Sequence, residues 1–160
     1  MFATRVHRVL GVAGVGGRVT LTAAAVVGVD QITKPLAPLM HAGAVLPLRN
    51  RGLLLGLGGG NRFALALVML VVLAGCARPV LRRVYAGTLP PVAAGLLFGG
   101  AIANLIDRAA LGSVRDFIVI GHAIVVNVAD VAVVIGLVLY ALAPRAARPI
   151  PGLAAVEAHN

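Results

Sequence analysis

The sequence predicts an all-α integral membrane protein with four transmembrane helices. Of its 160 residues 60% are hydrophobic and only 12% are charged, and the mean hydropathy is +1.01, which is too apolar for a soluble domain of this size. The apolar residues gather into four runs, 19–39, 63–77, 89–106 and 123–143, each near the roughly 20 residues that span a bilayer. The arginines fall between these runs, as they do in a chain that crosses a membrane repeatedly.

The first helix, 19–39, follows Arg5, Arg8 and Arg18, a pattern that also opens secretory signals. The run continues through Asp30 and Lys34 without a small-residue cleavage site, so it reads as a retained helix. Asp30 and Lys34 are four residues apart and share a helix face in the order that favours a salt bridge. Lys34 is the single lysine beside thirteen arginines. That points either to a required compact ammonium or to a neutralised pair that lets the helix insert.

The second helix, 63–77, is short, so it starts nearer the glycines of GLGGGNRF or the bilayer thins around it. The third, 89–106, carries Gly95, Gly99, Gly100, Ala101 and Ala103, small residues that permit a close helix crossing. The fourth, 123–143, leads into a tail at 144–160. Pro35, Pro38, Pro90 and Pro91 sit at helix ends or kinks, and no internal repeat is visible. The whole chain reads as a single membrane domain.

A net charge of +9 and a pI near 11.7 would suggest nucleic acid in a soluble protein. Here the arginines are assigned to lipid phosphates and topology, not to nucleic acid. The N-terminus, the RPVLRR loop and the tail hold eight arginines, against five in the two opposite loops. Both termini are therefore expected in the cytoplasm, with 40–62 and 107–122 outside. The lone cysteine, Cys76, lies in an apolar stretch and reads as a packing residue.

Five acids are present, Asp30, Asp107, Asp116, Asp130 and Glu157, and only Glu157 is in a plain solvated tail. A carboxylate within a membrane is costly unless it is paired or wet, so each is a functional candidate. Asp130 is expected seven residues into the fourth helix, about 10 Å below the outer hydrocarbon surface. Asp116 follows the third helix, and antiparallel packing would bring the two to one level. Two close carboxylates do not readily ionise together, so one keeps a proton while the other acts as a base, a pairing able to activate water. The alternative is structural, with Asp116 capping a loop and Asp130 paired to Arg115 or Arg108.

DQITK, RNRG, GGAIANLIDRAALGSVRDF and NVAD occur in the order seen in lipoprotein signal peptidases (signal peptidase II), which this chain resembles from its first helix to its fourth. The resemblance implies four transmembrane helices with a small extracytoplasmic β-rich cradle, in the bacterial cytoplasmic (inner) membrane. It implies removal of signal peptides from diacylglyceryl-modified prolipoproteins by a monomer in contact with phospholipid, with no cofactor and no metal. By that resemblance Asp116 and Asp130 are catalytic. Asn50, Gly52, Asn104, Arg108 and Asn127 bind substrate, and Asp30, Lys34, Asp107 and Gly112 are structural. The chain departs from the family at Leu54 and Leu55 after the outer-loop glycine, at Ala103, at Val126 and in the 14-position spacing of the aspartates. These positions bear on the flap over the site and on how tightly substrate is held.

For Asn104 and Asn127 the residues alone leave two roles open, holding the dyad or substrate backbone, or bonding between helices. For Arg108 they leave open lipid-phosphate binding or neutralisation of Asp107. A Ser113–Lys34 nucleophile and base is a rival chemistry, disfavoured because Lys34 already has Asp30 at helical spacing. His7, His41, His122 and His159 lack metal-ligand spacing. A transporter or proton relay would spread its acids through the bilayer, whereas these crowd toward one side. A paralogue that binds lipoproteins without cutting them is the remaining alternative.

Overall fold

The computed structural model describes residues 2–39, 45–50, 62–122 and 124–144, with side chains at 14–39, 47–50, 63–122 and 124–144. It is mostly helical with one small antiparallel sheet: α1 (Phe2–Leu36), a 3-10 turn (Ala37–Leu39), β1 (Val45–Asn50), α2 (Arg62–Tyr85), α3 (Pro91–Leu111), β2 (Val114–Ile120), β3 (Ile124–Val126) and α4 (Val128–Leu142). Gly52, Leu54, Leu55 and the tail from 145 onward lie outside the described residues.

α1 carries an unbroken stretch of Ala, Val, Leu and Thr at 19–27, and along the helix the Thr20, Thr22 and Thr33 hydroxyls donate to carbonyls four residues back. This satisfies polar groups that lipid would leave bare. Pro35 lies in its last turn. α2 runs to Tyr85, past the expected end at 77, because Arg78, Arg82 and Arg83 are good helix formers that extend the helix beyond its apolar run. α3 opens on Pro91, where a missing N–H is harmless. It closes on Gly112, whose left-handed φ of 70° suits glycine and whose N–H donates to the Arg108 carbonyl.

α4 begins at Val128, not at 123, because the β-branched Ile124, Val125 and Val126 pair with β2 instead of extending the helix. Asp130 therefore sits in the first turn of α4, not seven residues deep. Among the described residues α2 and α3 are long and apolar enough to cross a membrane, with mean hydropathies of 2.3 and 1.3, while α4 is a shorter apolar helix of 15 residues.

α3 is central, packed on α1 and α4 and flanked by α2. Its glycines let backbones meet. A Cβ on Gly99 would lie 2.8 Å from the Ala23 carbonyl of α1, and one on Gly100 would strike the Ala129 carbonyl of α4. At one end Val19, Val80, Val84, Leu89, Ala93 and Ala94 form an apolar cluster. There Arg83 closes α4 by donating to the carbonyls of Tyr140 (3.2 Å) and Ala143 (3.0 Å) while lying over the Tyr140 ring.

At the other end the strands join in the order β1-β2-β3, all antiparallel. Leu48 faces Asp116, Arg49 faces Arg115 and Asn50 faces Val114. The register shifts between Val45 and Leu48, next to Pro47, which has no N–H to give to the ladder. The sheet thus stands where the C-terminal ends of α1 and α3 and the start of α4 meet.

Candidate active site

Asp116 lies on β2, two residues beyond its start, and Asp130 is the third residue of α4. Their carboxylates are bridged by two buried asparagines. Asn127, fully buried, donates from Nδ2 to Asp116 Oδ1 at 2.7 Å, and Asn104 of α3 donates from Nδ2 to Asp130 Oδ1 at 2.7 Å. Between the asparagines, Asn127 Nδ2 donates to Asn104 Oδ1 at 3.2 Å. The two aspartates are near enough for their charges to act on one another.

The orientation of both amides follows from donors that cannot accept. Lys34 Nζ donates to Asn104 Oδ1 at 3.3 Å, so Asn104 turns its nitrogen toward Asp130. The Asp130 backbone N–H donates to Asn127 Oδ1 at 2.9 Å, so Asn127 turns its nitrogen toward Asp116. In return, the Asn127 N–H donates to Asp130 Oδ2 at 3.3 Å, completing a capping box at the start of α4.

Asp30 and Lys34 are fully buried and 2.6 Å apart. Asp30 Oδ1 also accepts the Ala129 N–H at 2.9 Å, so α1 supplies an acid that caps α4 one residue before Asp130. Lys34 reaches Asp107 as well, at 3.2 Å. The lone lysine therefore joins two acids and one asparagine.

Asp107 is paired with Lys34 and Arg115. Arg115 thus engages Asp107, not Asp130. Its guanidinium is held charged, with its pKa raised by the Asp107 hydrogen bond. Arg108 is 3% exposed, within electrostatic reach of Asp116, Asp130 and Asp107. Gly112 makes the left-handed turn that leads from α3 into β2 after a single further residue, Ser113. Asn50 closes β1 opposite Val114.

A cavity of about 170 Å³ opens beside Asp116, lined by Leu48, Arg49, Pro38 and Phe117 among others. Among the described residues no three His, Cys, Asp or Glu side chains are arranged to hold a metal ion.

Sequence reasoning groups Asp116, Asp130, Asn104, Asn127, Asp107 and Arg108 at one site and gives Asp30 and Lys34 as a structural pair of the first helix; the structure places all eight at this junction. Gln31 and the Arg115 contact were missed. Gln31 Nε2 donates to Asp107 Oδ1 at 3.1 Å and to the Ala103 carbonyl at 3.2 Å, joining segments far apart in the chain. No periodic signal marks such a contact.

A carboxylate pair of one buried and one half-buried acid with oriented amide donors, beside the ends of apolar helices, is chemically able to polarise a water and shuttle a proton. Residues 22–144 match the family described as Signal peptidase (SPase) II. The lipoprotein signal peptidase of Methylorubrum extorquens is 40% identical over 122 residues, covering 69% of this chain and 70% of that one. That of Geobacillus thermodenitrificans is 37% identical over 134 residues, covering 74% and 84%. A bacterial membrane enzyme solved by the in meso method at 2.3 Å superposes with a TM-score of 0.64 at 28% identity, covering 78% of this chain and 85% of that one. The chain belongs to the signal peptidase II family, and it is a peptidase of the membrane.

Proposed function

We propose that the chain removes signal peptides from diacylglyceryl-modified prolipoproteins, using Asp116 and Asp130 as a dyad. The observation that carries this reading is the chain of bonds from Asp116 through Asn127 and Asn104 to Asp130, which orients both carboxylates through two buried amides. One carboxylate, ionised, takes a proton from water as that water's oxygen attacks the scissile carbonyl. The other, protonated, donates a hydrogen bond to the carbonyl oxygen. As the tetrahedral intermediate collapses, the C–N bond breaks and the leaving amine takes up a proton from the dyad.

In this reading α1 to α4 all cross the bacterial cytoplasmic membrane, with both termini in the cytoplasm and the sheet outside. α4, at about 22 Å, is shorter than the hydrocarbon core, which suits a helix whose first turn opens onto a site at the outer interface. The enzyme works as a monomer in contact with phospholipid. Asn50, Gly52 and Arg108 bind substrate together with Asn104 and Asn127. Asp30, Lys34, Asp107 and Gly112 build the frame.

An assay with purified protein tests the reading by comparing lipidated and unlipidated prolipoprotein. Burial of acyl chains stabilises binding by about 0.8 kcal/mol per CH₂ and fixes the scissile bond at the interface, so cleavage is expected for the lipidated form alone. Equal turnover of both forms would overturn it.

A further inference from the structure

Arg115, the residue immediately before Asp116, is fastened to Asp107 three times. Its backbone N–H donates to Asp107 Oδ2 at 3.1 Å, its Nε to the same oxygen at 3.2 Å and its Nη2 to Oδ1 at 2.7 Å. The same Nη2 donates to Gln31 Oε1 of α1 at 2.9 Å. One side chain thus joins β2 to both α3 and α1, at the peptide adjoining the reacting acid.

The fastening point is itself rigid. Asp107 is 1% exposed and is held by Lys34 and Gln31 as well. A planar guanidinium meeting a carboxylate through two nitrogens fixes both distance and direction, which an ammonium cannot do. The link from α3 to β2 is only Gly112 and Ser113, and Gly112 alone would allow β2 to pivot about its turn.

We infer that Arg115 is a positioning residue for cleavage, setting the height and direction of the Asp116 carboxylate relative to Asp130 by clamping β2 to α3 and α1. The inference rests on the dyad reading. Misplacing a reacting group by about 1 Å can cost about a hundredfold in rate, and the loss should fall on kcat because the Arg115 guanidinium, part-exposed at the rim of the cavity, is engaged by Asp107 and Gln31. The fold is expected to survive the loss, since Asp107 keeps Lys34 and Gln31 as partners.

The test compares full-length wild type, Arg115→Gln, Arg115→Lys and Asp116→Asn in detergent, with lipidated prolipoprotein as substrate. Arg115→Gln is expected to lower kcat by about 10- to 100-fold, with KM within about twofold. Arg115→Lys, which restores charge but not the fork, should fall between Arg115→Gln and wild type. Wild-type kcat in Arg115→Gln, or a loss confined to KM, would overturn the inference. Should Arg115→Gln not yield folded protein, Arg115→Lys decides alone, and wild-type kcat there would overturn it. Activity in Asp116→Asn marks failure of the dyad reading instead, whatever the Arg115 variants do.

Discussion

Gly100→Ala places one methyl group where α3 and α4 touch. Its Cβ would strike the Ala129 carbonyl and lie 2.7 Å from Val133 Cγ2, whereas carbon atoms rest comfortably at about 3.5–4.0 Å. A backbone carbonyl cannot swing aside as a flexible side chain can, so the helices must part by about 1 Å. Ala129 adjoins Asp130, and Gly100 lies one turn before Asn104, whose 2.7 Å bond to Asp130 crosses the same interface. Lengthening that bond by about 1 Å carries it past hydrogen-bond range. Overpacking of this kind costs about 1–3 kcal/mol, and loss of dyad orientation lowers kcat by about a hundredfold. The assay pairs cleavage of lipidated prolipoprotein with thermal unfolding in detergent, and Gly75→Ala serves as control because an added Cβ there meets nothing within 4 Å. Wild-type activity in Gly100→Ala would refute the claim that the α3–α4 crossing sets the dyad.

Asp30→Asn removes one partner of a buried ion pair and weakens the cap on Ala129. Such losses cost about 3–5 kcal/mol. The expected value lies at the low end, because Asp107 remains beside Lys34, and the yield of folded protein in membranes should drop accordingly. A reporter fused after Arg83 should behave as cytoplasmic, as the arginine asymmetry requires; an extracytoplasmic readout would invert the placement of both aspartates.

Long apolar runs and acids set within or beside them made the helices and the polar junction legible in the sequence. Hydropathy registers the bilayer directly, and a buried carboxylate is too costly to occur idly. The family's blocks mark Asn104 and Asn127 beside the acids, and the structure gives these asparagines their geometry through the donor-only partners Lys34 and the Asp130 N–H. β3 was not legible. Ile124, Val125 and Val126 are as apolar as the helix that follows, and only pairing with β2 tells strand from helix at that length. The role of Arg115 was hidden for another reason. Its partners lie 8 and 84 positions away, and the sequence offers it only as one loop arginine among several or as an alternative partner of Asp130. Asp30 read as the partner of Lys34 alone, because its bond to Ala129 spans 99 positions.

The most direct test of the account is cleavage of lipidated prolipoprotein by Asp116→Asn, Asp130→Asn and the double variant, each purified at wild-type yield. Asn keeps the size of the carboxyl and much of its hydrogen bonding but cannot take or return the proton. Removing a positioned acid or base costs about 10²- to 10⁴-fold in rate. Because the two groups act as a unit, the double variant should be hardly slower than either single one. Each single variant is predicted to lose activity by at least a hundredfold while remaining folded. Cleavage near the wild-type rate by either one would contradict the dyad mechanism.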